Sequence, residues 1–146
     1  MKSTTGYAFS LGSGMFSWNS KKQEIVAQSI AEAEYVAAAV AANQAIWLRK
    51  ILKDLGVQQQ EATEINCDSK SAIAIAENPV QHGKTKHIQV KFHAIREAIK
   101  NHEIKLVHCC SEHQVADILT KALPRARFER LRELLGVSIK NLKEEC

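Results

Sequence analysis

AEAEYVAAAVAA, residues 31–42, sets two glutamates one residue apart at the head of a run of small apolar residues. The preceding Ser29 and the later Glu32 form a capping-box pattern, in which a hydroxyl and a carboxylate satisfy the free N–H groups of a helix start. Glu32 is accounted for in that way, and Glu34 is not. At about 3.6 residues per turn Glu34 shares a stripe with Ala37, Ala38, Ala41, Ala45, Leu48 and Leu52, the spacing of a helix face turned to a core. A carboxylate in such a stripe is costly unless a cation, a hydrogen-bond donor or a metal ion meets it. The pattern predicts a helix from Ser29 to about Leu55, stopped by Gly56 at the C′ position.

Reading outward from this helix, order alternates. GYAFSL (6–11) and MFSWNS (15–20) flank Gly12-Ser13-Gly14 and read as a hairpin, with EIVAQ (24–28) continuing extended into the helix. TEINC (63–67) is a short strand ending at Asp68; Asp68 or Ser69 then caps a short helix, SAIAIAE, closed by Asn78-Pro79. After the loop VQHGKTKH, a helix carries Ile88, Phe92, Ile95 and Ile99 at helical spacing. EIKLVH (103–108) is a further strand, and Ser111-Glu112-His113-Gln114 has the capping-box pattern of a helix through Leu123, ended by Pro124. FERLRELLG makes a final amphipathic helix capped by Gly136, and the tail 137–146 is expected to fray. Strands first, then strand–helix units, imply an α/β (α+β) fold in one domain, residues 1–136.

Composition bounds the function. The chain has 146 residues, enough for one core, with 45% hydrophobic and 25% charged residues. No apolar run approaches the roughly 20 residues of a membrane helix. The first residues have no apolar stretch of signal-peptide type, so an intracellular location, in cytoplasm or nucleus, is expected. Cys67, Cys109, Cys110 and Cys146 lack paired metal-ligand spacing and fit reduced thiols, and the six histidines show no zinc pattern. The net charge is only +4, but Lys84, Lys86, Lys91, Arg96, Lys100 and Lys105 lie in one stretch, and Arg125, Arg127, Arg130 and Arg132 in another. Solvated helix faces and a phosphate-binding surface are both open readings of these runs.

Only three aspartates occur, Asp54, Asp68 and Asp117. Asp68 stands at the carboxyl end of a strand, where open α/β sheets form their ligand crevice. Each has an ordinary alternative: Asp68 as a helix N-cap, Asp117 in an i, i+4 pair with Lys121. If Glu34, Asp68 and Asp117 converge on one sheet, their repulsion calls for divalent cations, and oxygen ligands without thiolate favour Mg2+ or Mn2+.

The order SIAEAEYVAAA, INCDSKSAIAIAENP, KTKHI with FHAIRE, and HQVADILTKALPRARFERLRELLG resembles the C-terminal ribonuclease H domain of copia-type retrotransposon polyproteins of plants, over about Lys2 to Gly136. The resemblance implies a mixed sheet flanked by helices and a nuclease that cuts the RNA strand of RNA–DNA hybrids with two magnesium ions held by four acidic residues. By position, Glu34, Asp68 and Asp117 correspond to the second, third and fourth. His113 is placed to assist product release, and Lys84, Lys86, His87 and Lys91 lie where a loop meets a helix N-terminus able to hold phosphate.

The family's first carboxylate lies on a strand that precedes KSTTGY, and residues 1–23 contain neither Asp nor Glu. Asp54 is no substitute, because twenty helical residues, roughly 30 Å, separate it from Glu34. Weak or absent cleavage is therefore expected of this chain. The initial Met fits a free-standing product such as a host-adopted gene fragment. The same resemblance puts the family's first strand at the centre of the sheet, between the hairpin and TEINC. Without it two strand edges stand open, to be filled by a second copy, by a partner chain or by the N-terminal segment. A host-adopted module that binds nucleic acid or protein without catalysis is the alternative function.

Overall fold

The computed structural model describes residues 2–77 and 86–138, without the side chains of residues 86–89, 91 and 92. A hairpin comes first, β1 (Thr4–Leu11) against β2 (Gly14–Lys22), followed by helix α1 (Ile30–Asp54). Strand β3 (Thr63–Cys67), helices α2 (Lys70–Glu77) and α3 (Lys86–Lys100) and strand β4 (Ile104–His108) make a strand–helix–helix–strand unit. Two 3-10 turns, Ser111–His113 and Val115–Leu119, lead to helix α4 (Arg125–Leu135). The α/β (α+β) class expected from the sequence is the observed one.

Local chemistry explains most boundaries. Gly12 takes a φ of +63° at the first of two turn residues, the position a type II′ hairpin reserves for glycine. Ser29 Oγ accepts the backbone N–H of Glu32, and Glu32 Oε2 accepts that of Gln28, so Glu32 works as a cap. At the other end Gly56, with φ +81°, donates to the Lys53 carbonyl while Val57 donates to that of Leu52, the paired bonds of a Schellman stop. Ser69 Oγ accepts from Ala72 N, which gives the capping of α2 to Ser69 rather than Asp68. Asn78, Pro79 and the loop 80–85 lie outside the described residues, as do residues 139–146 of the tail.

The sequence reading erred in two places. EIVAQ is not a strand: the hairpin ladder ends with Gln23 N donating to Ser3 O, and residues 24–28 form a link into α1. Nor does a helix run from Ser111 to Leu123. The carbonyls of Ser111 and Glu112 accept from Arg127 and Arg130 of α4, and Gln114 reaches across to the Asn66 carbonyl. Groups that a helix would use internally are taken by neighbours, so only 3-10 turns form.

The strands form two separate pairs, β1–β2 antiparallel and β3–β4 parallel. Both rest on α1. Tyr35, Ala38, Ala39, Ala41, Ala42 and Ala45 are buried with Ile65, Leu106 and Ile104 of the parallel pair and with Ala72, Ala76, Ile95 and Ala98 of α2 and α3, and Tyr7 and Phe9 pack on the same core. Alanine suits a helix with neighbours on several sides, because its short side chain lets backbones approach closely. Glu34 is only half-buried, at the border of this core.

The outer face of the hairpin receives the second 3-10 turn. A Cβ on Gly6 would lie 2.6 Å from Thr120 Cγ2 and 3.3 Å from the Ala116 carbonyl oxygen, and Ser20 Oγ donates to the Leu119 carbonyl at 2.5 Å. Because Asp117 sits on this turn, the bare backbone at Gly6 sets how near Asp117 comes to β1. Gly6→Val is expected to lower stability by about 1–3 kcal/mol through overpacking, and Ser20→Ala by about 0.5–1.5 kcal/mol. Urea unfolding checks both, and a Gly6→Val protein as stable as the parent would show that the turn packs elsewhere.

Candidate functional site

Between β1 and β3 lies a cavity of about 520 Å3, walled by successive residues of both strands and floored by Ala37, Ala38 and Ala41 of α1. Glu34, Asp68 and Asp117 all line it, as does His113. Each arrives by a different route. Glu34 stands one turn into α1, fixed by the Ser29 cap; Asp68 follows the last residue of β3; Asp117 is carried by the second 3-10 turn, held to the hairpin at Gly6 and Ser20.

The electrostatics tie these groups together. Burial pushes the Glu34 carboxyl above its ordinary value; the negative charge of Asp68 adds to this, Lys121 partly offsets it, and Asp117 raises it further. Asp117 itself is buried. Its Oδ2 accepts from Arg127 Nη2 at 2.6 Å and pairs with Lys121 Nζ at 3.1 Å. The i, i+4 partnership with Lys121 therefore exists, beside a shorter one to α4. Among the described residues, no three His, Cys, Asp or Glu side chains are close enough together to hold a metal ion. Oxygen donors around one cavity match a hard divalent cation in kind, but Asp117 is already occupied by the chain's own cations.

The basic runs divide. Arg125 pairs with Glu129, Arg127 with Asp117 and Arg130 with Glu112, so three of the four α4 arginines face carboxylates of this chain. Of the residues read as phosphate contacts, Lys84 lies outside the described residues. Lys86 begins α3, with His87 and Lys91 following on it. The sequence reading named Arg127 only within a basic run and Gln114 only in a capping pattern, and it missed their contacts with Asp117 and Asn66 and the close approach at Gly6. Nothing in local spacing links Arg127 to Asp117 ten positions earlier, because the intervening chain is not one helix. The thiols of Cys67 and Cys109 are free and raised above their ordinary values, by burial first, which leaves them poor nucleophiles. No described helix is long and apolar enough to cross a membrane.

Comparison with known proteins gives a consistent result. The chain is 43% identical over 136 residues to the retrovirus-related Pol polyprotein from transposon TNT 1-94 of Nicotiana tabacum, covering 93% of this chain and 10% of that protein. The corresponding polyproteins from transposons RE2 and RE1 of Arabidopsis thaliana are 38% identical over 135 residues and 37% identical over 136. The chain spans about a tenth of the length of these curated relatives. These homologues mark it as retrotransposon-derived. No family model matches it, and no solved structure does.

The raised Glu34 carboxyl has a consequence for pH. In the unfolded chain it titrates near 4.5 and in the folded protein higher, so above 4.5 the folded state binds more protons and this group's contribution to stability falls as pH rises. Glu34→Gln removes the penalty. Urea titrations at pH 3 and pH 7 should find the variant close to the parent at the lower pH and more stable at the higher. A parent equally stable at pH 7 would place Glu34 in a fully solvated setting.

Proposed function

We propose that this chain is the ribonuclease H part of a copia-type retrotransposon polyprotein, an intracellular nuclease module whose substrate is the RNA strand of an RNA–DNA hybrid. The observation that carries the reading is that Glu34, Asp68 and Asp117, from three separate elements, line one cavity. The sequence order in which they occur is that of the family the chain resembles.

In this reading Glu34, Asp68 and Asp117 would hold Mg2+ or Mn2+ once drawn closer together than they stand here. When bound, such ions supply a water activated for attack on phosphorus and neutralise charge on the leaving oxygen. The chain's own residues do the rest. Lys84, Lys86, His87 and Lys91 bind backbone phosphates near the N-terminus of α3, where helix N–H groups add to their charge. His113, exposed at the cavity edge, moves a proton or helps the cut strand leave. Lys121, half-exposed beside Asp117, lowers the cost of gathering negative charge there.

The cavity also favours a second role, as an acceptor for an extended segment. Neither β1 nor β3 has a strand partner on the side facing the cavity among the described residues. Strands lie about 4.8 Å apart, advance about 3.3 Å per residue and fill sheets about 10 Å thick, so 520 Å3 accommodates roughly three residues of strand. The segment comes from an N-terminal extension, a partner chain or a second copy in a homodimer. It completes the sheet and, in the family's pattern, brings the acidic residue that positions 1–23 lack. Without nuclease activity the same surfaces would serve a host-adopted binding module.

The test is cleavage of a labelled RNA–DNA hybrid with Mg2+ or Mn2+ by the 146-residue chain and by a version extended at its N-terminus with an aspartate-bearing strand. The short chain should cut slowly or not at all, faster with Mn2+. The extended chain should cut, and Glu34→Gln in it should abolish cleavage. Hybrid affinity should fall steeply between 50 and 200 mM salt, by roughly a thousandfold or more if six phosphates are contacted. An extended chain that binds hybrid but leaves it intact, or one indifferent to Glu34→Gln, would defeat the nuclease reading and leave the binding module.

A further inference from the structure

Of the carboxylates that line the cavity, Asp117 is held by Arg127 and Lys121, whereas Glu34, Glu64 and Asp68 have no ion-pair partner among the described residues. We infer that the cavity is a binding site for a linear aliphatic polyamine, with one ammonium group at the Glu34 and Asp68 end, another at Glu64, and the methylene chain between them lying on the alanines of α1. This site stands apart from the nuclease reading, since it uses neither a metal ion nor a nucleic acid.

The cavity has the shape and lining of such a ligand. Its β3 wall runs from Glu64 to Asp68, which sets these two residues roughly 13 Å apart at about 3.3 Å per residue. Ala37, Ala38 and Ala41 form the floor; they offer methyl groups to a methylene chain and no partner to a charge. The charged ends meet acceptors. Gln23 lines the cavity with only 7% of its surface exposed. Its Nε2 donates to the Thr5 hydroxyl and to the carbonyl of Ala33, the neighbour of Glu34, while its Oε1 has no donor. On the cavity side, β1 and β3 also have no strand partner among the described residues, which leaves backbone carbonyls to accept. An alkylammonium group donates three N–H bonds and accepts none, the complement of this set.

The spacing of the carboxylates selects an extended cation over a point charge. A metal ion gathers its oxygens at about 2.0–2.6 Å around one centre, and no three described His, Cys, Asp or Glu side chains come close enough for that. Ammonium groups on an alkyl chain remove the requirement: each takes its own carboxylate at about 2.7–2.9 Å, and the chain spans the gap. Burial, then the charges of Asp68 and Asp117, push the Glu34 carboxyl above its ordinary value, and a cation at this end favours its ionised form. Lys121 offsets part of that repulsion, but its ammonium lies 3.1 Å from Asp117 and is half-exposed. Lys2, the other lysine of the lining, is exposed to water.

Isothermal titration calorimetry of spermidine into the 146-residue protein, at constant ionic strength, should give saturable binding of one molecule per chain. Diaminopropane, too short to reach from Asp68 to Glu64, and propylamine, with a single charge, should bind at least about tenfold more weakly, the loss of one charge-assisted hydrogen bond. Glu34→Gln and Asp68→Asn should each weaken spermidine binding about 10- to 100-fold. Glu64→Gln should reduce spermidine to the affinity of diaminopropane, whereas Asp54→Asn, an exposed carboxylate at the C-terminal end of α1, should change nothing. In the unmutated protein spermidine should shift the methyl NMR signals of Ala37, Ala38 and Ala41, a readout that needs no variant to fold. Spermidine binding no tighter than propylamine, Asp54→Asn weakening it as much as Glu34→Gln, or alanine methyls unmoved at saturation would each overturn the inference. None of these results touches the nuclease reading, which hybrid cleavage by the extended chain tests separately.

Discussion

The antiparallel pair β1–β2 and the parallel pair β3–β4 share no backbone hydrogen bond among the described residues, so their mutual position depends on packing against α1. That helix can support both because its inward faces are built of alanine. Each Ala contributes little apolar area alone, roughly a third of what a leucine buries, but the small side chains admit β1, β3, α2 and α3 close around one axis. Thr5 and Gln23 strengthen the joint: Gln23 Nε2 bridges the Thr5 hydroxyl of β1 and the Ala33 carbonyl of α1, within a buried setting. The cavity is the space left when two strand pairs are supported by one helix without touching edge to edge.

From that arrangement the electrostatics of the cavity follow. Glu34 is fixed near the N-terminus of α1, Asp68 at the end of β3, and Asp117 on a turn clamped to the hairpin on one side and to α4 on the other. Two of the carboxylates raise the proton affinity of the third. Among the described residues the chain answers this repulsion with Arg127 and Lys121 at Asp117, and Lys121 also partly offsets it at Glu34. The Asp117 carboxylate thus links the hairpin-bound turn to α4 through Arg127.

Much of this was legible in the sequence. The Ser29–Glu32 cap, the glycine stops at Gly56 and Gly136, the hairpin about Gly12 and the strands read at 63–67 and 103–108 follow from local rules, because each is decided by atoms a few residues apart. Periodicity singled out Glu34, since a helix places residues on faces independently of what packs there. The rarity of aspartate pointed to Asp68 and Asp117.

Tertiary structure alone decided the remainder. The segment 111–123 has the capping pattern of a helix, yet arginines sixteen and eighteen residues away take its carbonyls, and local propensity yields to those long-range bonds. Whether Glu34 meets water, a cation or a neighbour depended on how far apart the two strand pairs settle, which no local pattern encodes. The pairing of Asp117 with Arg127, and the need for a glycine at position 6, arise where distant parts of the chain touch. The sequence by itself determined most of the elements and which carboxylates were candidates, because those choices are local; the turns at 111–119, the cavity and the cation that occupies one carboxylate were set by packing, because they are properties of contacts between elements.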